Sequence, residues 1–378
     1  MKGTRESEIA LRGVPAQTMG RTVDAPSTML DGKAWLATTS PPREGQGPRL
    51  RARWDGNRGA IVEAPRVRFD GRDWLLAIKG IGARAPLYGD TPAGFAHAYE
   101  LDVASPDHGR SLLGAITRET WMGEAPYGGQ GIANAENALM LSSPALREAL
   151  APAVLCPVIA VVEIPPSEIA DVFHYRRHRG PVVQEHRLVP SAVRLYHQSA
   201  IALGRHVDEA LAELGVETPT ALDAFLDRFL ASAIAAITIA ARSARVHGHA
   251  YEVLDYDDAW LDKDAFVAPD GTVAFADLEA LVHVHVEDLA ALSARVRRQV
   301  ERNAYEVLYG IDALLRVEER WRDRPRDPAT RRRVLAERTR LALAGDPVAS
   351  LESGQDGWDL VLRPRVGERT SVRWLDER

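Results

Sequence analysis

A chain of 378 residues, 46% apolar and 26% charged, has the length for two cores and the balance of an ordinary folded protein. A net charge of −6 excludes a general electrostatic pull towards nucleic acid or anionic membrane. The single cysteine, Cys156, excludes an intrachain disulfide framework or a cysteine-built zinc site; in the run AVLCPVIAVV it reads as a buried thiol. The start, MKGTRESEIALRG, lacks the apolar stretch of a signal peptide, and Phe229 to Ala241 falls short of the roughly 20 residues that span a bilayer. A cytoplasmic location and no membrane partner are expected.

Residues 1–48 are polar and rich in Pro and Gly, and read as a flexible lead-in. From Leu50 the runs RLRARW, AIVEAPRVRF and DWLLAIK read as an antiparallel meander, with Asp55-Gly56 and Asp70-Gly71 as turns. Helix character follows in 110–125 and 132–150, and Pro152–Pro165 reads as a buried strand. The glycines at 128–131 lack a Walker Lys-Ser/Thr and read as a helix-breaking turn. Helices are expected over 190–212, 219–246, 279–318 (with Gly310 as a candidate break) and 328–345, and a hairpin about Asp270-Gly271. The basic stretch 317–340 reads as a solvated helix face, and the alternating tail 357–376 as a two-stranded ribbon. The fold class expected is α+β, a bilobal protein-kinase-like arrangement: lead-in 1–48, N-lobe sheet with helix 49–165, mainly helical C-lobe 166–346, ribbon tail 347–378.

Kinase-type chemistry needs a strand lysine on the phosphates, a helix glutamate that orients it, and carboxylates for Mg²⁺. Lys79 ends the strand AIK, Glu119 lies on the following helix, and Asp277 follows the second hairpin strand. Three local patterns carry a closer resemblance: Lys79-Gly80-Ile81-Gly82 with Pro86 and Tyr88 after it; Arg110-x-x-Leu113-x-x-x-x-Arg118-Glu119-x-x-x-x-Glu124-Ala125; and Arg187-x-x-Pro190-Ser191-x-x-Arg194. In these the chain resembles selenoprotein O, the kinase-like family of protein adenylyltransferases. The patterns span roughly a third of the chain. The resemblance implies an ATP- and Mg²⁺- (or Mn²⁺-) dependent transfer of AMP to a hydroxyl. Lys79, Gly80 and Gly82 would lie at the phosphates, and Arg187 and Arg194 would grip them in an inverted pose.

The family's His-Gly is matched by His247-Gly248, but its following Asp-Asn pair is replaced by Val253 and Leu254. Glu252 is the nearest substitute, so His247, Glu252 and Asp277 are the expected catalytic-loop residues, with Glu252 and Asp277 as metal ligands. His247-x-His249-x-x-Glu252 and His283-x-His285-x-Glu287 also have the donor chemistry for Zn²⁺ or Fe²⁺. With 283 and 285 read as helical their imidazoles would diverge, so Mg²⁺ is the preferred metal. Two alternatives stay open: a kinase-like phosphotransferase acting on a small molecule or peptide, and a nucleotide-binding pseudokinase acting through a partner. The acceptor, protein or small molecule, and the oligomeric state are not legible.

Overall fold

The computed structural model describes residues 8–19, 32–38, 50–55, 59–81, 144–165, 182–195, 201–256, 265–276 and 281–376. The chain divides into two compact units. The first takes Met1–Ala138, Cys156–Ala192 and Gln198–Ala200, and the second Leu139–Leu155, Val193–His197 and Ile201–Arg378. The class is α+β.

The first unit is built on one eight-stranded antiparallel sheet. Its strands are β1 (Glu8–Pro15), β2 (Gln17–Met19), β3 (Lys33–Thr38), β4 (Leu50–Asp55), β5 (Gly59–Phe69), β6 (Arg72–Lys79), β8 (Val158–Ile164) and β9 (Val182–Val189), while β7 (Val154–Leu155) belongs to the second unit. The order is β2-β8-β9-β6-β5-β4-β1-β3. The meander of sequence expectation is β4-β5-β6, and Asp70 (φ 48) and Gly71 (φ 73) make its second turn, the left-handed pair that two-residue hairpins demand. Residues 1–48 are not all loose lead-in: β1, β2 and β3 pair within the sheet. Only Ala16 separates β1 from β2, yet they lie towards opposite ends of the strand order. The sheet must therefore curl until both ends reach the same run of chain. β9, placed by sequence with a helical C-lobe, is instead a central strand beside β6, because VVQEHRLV continues the ladder from Leu75↔Val189 to Lys79↔Glu185.

The second unit mixes helices with three three-stranded sheets, so it is less purely helical than expected. Its helices are α1 (Pro144–Leu150), α2 (Val207–Glu213), α3 (Pro219–Ile237), α4 (Ile239–Ser243), α5 (Leu289–Trp321) and α6 (Pro328–Ala342). Helix α3 starts where expected: the Thr218 hydroxyl accepts from the Ala221 amide and Pro219 occupies the first turn. The expected helix 190–212 shrinks to α2. Residues 193–195 run extended beside strand β12 (Ala265–Val267), with Val267 N donating to Val193 O (2.8 Å) and Leu195 N to Ala265 O (3.3 Å). The helix expected from residue 279 starts at 289. Asp288 caps it by accepting from Ala291 N, and LVHVHV, with its period of two, is strand β14 (Leu281–Val286). Gly310 does not break α5; it lets Leu195 and Phe229 approach within 3.7–3.9 Å of where a Cβ would stand.

The basic stretch 317–340 is not merely a solvated face. Arg331 forks onto Glu319 (2.8 and 2.9 Å), Arg326 reaches Glu318 (3.1 Å), and Arg338 bridges Asp223 (2.5 Å) and Asp227 (2.8 Å) on α3. The tail is a three-stranded sheet, β15 (Ala349–Gly354), β16 (Gly357–Leu362) and β17 (Thr370–Asp376), one strand more than the expected ribbon.

The hairpin about Asp270-Gly271 forms as expected. β12 pairs with β13 (Val273–Phe275), and β13 with β7. Ser232 on α3 accepts from Val273 N at 2.7 Å, and Gly271 sits hard against the same helix. With φ 89, a Cβ at Gly271 would lie 2.4 Å from the Phe225 carbonyl oxygen. Left-handed strain and overpacking against backbone then act together, so Gly271→Ala is expected to destabilise by about 2–4 kcal/mol. Gly248→Ala, at φ 63 in open space, should cost about 1 kcal/mol. Urea denaturation of the two variants checks the difference.

Candidate functional site

Two charged clusters stand out, one in each unit. In the first unit Lys79 ends β6 and lies opposite Glu185 on β9 in the ladder; Ala77 lies opposite Arg187. Directly opposed residues share a face, and so do residues two apart, so Lys79, Glu185 and Arg187 project from one face of the sheet. Arg187 Nε is 2.6 Å from Glu185 Oε1, and both side chains are under 5% exposed. An ion pair at that depth survives because each charge neutralises the other. Gly80 follows with φ 92, a conformation open to glycine, and its carbonyl accepts from Gln184 Nε2 at 3.1 Å.

The opposite face of β9 is also buried. Gln184 bonds the backbone of Trp35 twice, accepting from its N (2.8 Å) and donating to its O (2.9 Å). Gln184 Oε1 only accepts, so the 3.1 Å contact to His186 Nε2 assigns the proton of that imidazole to Nε2. Burial pushes the His186 pKa down to about 4, which keeps the ring neutral.

In the second unit, Arg194 pairs in an isolated bridge with Phe266 on β12, and its guanidinium lies 4.2 Å from that ring's centroid. Neither Arg187 nor Arg194 is on a helix: the first is mid-strand, the second lies beyond the strand's end, and both are buried. The expected sites Gly82, Glu119 and Asp277 lie outside the described residues.

The second cluster is on the sheet β10 (Arg245–His247), β11 (Ala250–Tyr256) and β14. Arg245 opposes Glu252, Glu252 opposes His285, and Leu254 opposes His283. Arg245, His247, Glu252, His283 and His285 therefore share one face. The expectation that His283 and His285 diverge is overturned, because on a strand residues two apart point the same way. Glu252, expected as a Mg²⁺ ligand, is engaged on both oxygens by Arg245: Nη2 on Oε1 at 2.9 Å and Nε on Oε2 at 3.2 Å. His283 Nδ1 stands 2.5 Å from Oε1 and His247 Nδ1 3.3 Å from Oε2. The Arg245 hydrogen bonds hold the Glu252 carboxyl below the usual carboxylate range against the opposing effect of burial. The rings of His247 and His285 are 5.1 Å apart.

Sequence reasoning missed Glu185 and Arg245. The signal for the first was QEHR, four successive polar residues inside a strand of valines and leucine, which puts polar groups on both faces. The second needed the register of β10 on β11, which no local pattern announces. No protein-family model matches the chain, and no curated protein matches it either.

His186 yields a pH prediction. Its folded pKa lies below the ordinary 6.5, so between pH 6.5 and about 4 the unfolded chain binds a proton that the folded chain does not. Its contribution is complete above pH 6.5 and declines as pH falls through that window, by about 3 kcal/mol in all. His186→Gln should flatten the rise of unfolding free energy with pH by roughly 1.4 kcal/mol per pH unit in that window, measured by urea titrations at several pH values.

Proposed function

We propose that the chain is an ATP- and Mg²⁺-dependent transferase on a kinase-type core, moving AMP to a hydroxyl of a protein acceptor. The observation that carries this reading is Lys79 at the end of the third meander strand, in mid-sheet, directly opposite a buried Glu185–Arg187 pair. Buried charges concentrated around one lysine are a mark of functional sites. The strand order supports the same reading. A three-strand meander whose last strand takes a later strand, β9, as its second neighbour is the plan of a kinase small lobe. That is a fold-level analogy. The hairpin β12–β13, which leads to Asp277, supports it from the second unit.

In this reading Lys79 and the backbone at Gly80 contact phosphate, Glu119 orients the lysine, and Arg187 and Arg194 grip the phosphate tail. The divalent cation supplies charge neutralisation on the triphosphate. Its ligand set narrows. Glu252 lies among Arg245, His247, His283 and His285, a nitrogen-rich setting unlike the oxygen shell that Mg²⁺ prefers. Asp277 is therefore the carboxylate we keep for the metal.

A second reading has its own observation. Arg187 is already engaged by Glu185, and an engaged guanidinium has less to offer an inverted triphosphate. That favours ordinary γ-phosphoryl transfer, with Arg187 as a structural ion. Transfer from ATP labelled on the α- or the γ-phosphate, with Mg²⁺ or Mn²⁺ and a cell extract as acceptor source, separates the two. Incorporation of α-label, lowered at least 100-fold by Lys79→Ala and Asp277→Asn, is the expected result. Incorporation of γ-label alone selects the second reading, and incorporation of neither overturns both.

A further inference from the structure

The second unit's histidine cluster has no part in that chemistry, and its donor set points elsewhere. We propose that His247, Glu252 and His285 form a binding site for a borderline transition-metal cation of the Zn²⁺ class, independent of the nucleotide. The ligand atoms these three residues offer all lie within 4.8 Å of one another. Tetrahedral bonds of about 2.0–2.1 Å imply donor–donor edges of about 3.3–3.4 Å. The His247 Nδ1 to Glu252 Oε2 separation of 3.3 Å already has that length. Small rotations of exposed side chains bring in the third ligand: His247 is 64% exposed, and His285 is exposed on the neighbouring strand.

The two oxygens of Glu252 divide the work. Oε2 faces His247, so it is the metal-side oxygen. Oε1 is held by His283 Nδ1 at 2.5 Å and Arg245 Nη2 at 2.9 Å, the outer contacts that fix a ligating carboxylate. Arg245 Nε, now on Oε2, is the group the cation displaces, and the arginine side chain, 60% exposed, has solvent to move into. Two imidazoles and one carboxylate suit Zn²⁺, Co²⁺ or Fe²⁺ rather than Mg²⁺, which prefers an all-oxygen shell. With three protein ligands, two of them on solvent-facing side chains, the fourth position is left for water.

The test uses the full chain stripped with a chelator and titrated with Zn²⁺ against a chromogenic competitor. One Zn²⁺ per chain is expected at micromolar or tighter affinity, unaffected by millimolar Mg²⁺. His247→Gln and His285→Gln should each weaken it by at least roughly tenfold, and His249→Gln should not. Co²⁺ substitution should give the visible absorption of a four-coordinate site, lost in both weakened variants. Circular dichroism of each variant verifies that these exposed substitutions leave the fold intact. Absence of Zn²⁺ binding, or binding that survives both substitutions, overturns the proposal. Neither result bears on label transfer from ATP, so this site and the nucleotide reading stand or fall separately.

Discussion

The side chain of Gln184 joins parts of the sheet that the backbone ladders leave apart. From β9 it satisfies both backbone polar groups of Trp35 on β3 and the carbonyl of Gly80 just past β6. All three contacts are buried, where an unpaired amide or carbonyl costs on the order of 1–3 kcal/mol. The curl of the sheet brings β3 towards β9, and the glutamine amide supplies the acceptor and donor that a neighbouring strand would otherwise provide. The same contact fixes the Gly80 carbonyl, and with it the direction in which the chain leaves Lys79.

Alternation on β9 then sorts the chemistry. Gln184, His186 and Leu188 serve the Trp35 side, while Glu185 and Arg187 serve the side of Lys79. A neutral imidazole on one face and an ion pair on the other lie within four consecutive residues, both buried. The imidazole stays neutral because burial disfavours its charged form, whereas the permanently charged guanidinium is offset by a carboxylate 2.6 Å away. Neighbouring residues thus experience opposite electrostatic environments, set only by the pleat.

What could be read from the sequence was what is local. Asp70-Gly71 and Asp270-Gly271 announce their turns, the apolar run from 219 its helix, and Lys79 its place at a strand end. The sequence misleads where a longer pattern overrules a shorter one. Val282, Val284 and Val286 alternate with His283 and His285, a strand signature, but it runs straight into the strong helix pattern beyond, and only the Asp288 cap divides the two. Residues 193–195 carry no strand signature of their own, because their partner, β12, lies far along the chain. Glu252 stands out in the sequence, but its partners do not, since Arg245 and the β14 histidines reach it only through register. The arginine-rich stretch from 317 showed its charge in sequence but not the acidic residues on α3 and α5 that absorb it.

The sharing of one short run of chain by both ends of the sheet has a temporal consequence. A ribosome delivers β1 and β2 first, and β1 can find β3 and β4 within the next few dozen residues. Strand β2 has no such option, because Gln17 pairs with Glu163 and Met19 with Val161. Its edge stays open while all the intervening chain is made, and an open strand edge is a template for other chains. Closing so distant a pairing is also the slow kind of step in folding. During synthesis the first unit therefore exists for a time as an unfinished ring, which closes only when β8 and then β9 arrive, since β9 joins β8 to β6.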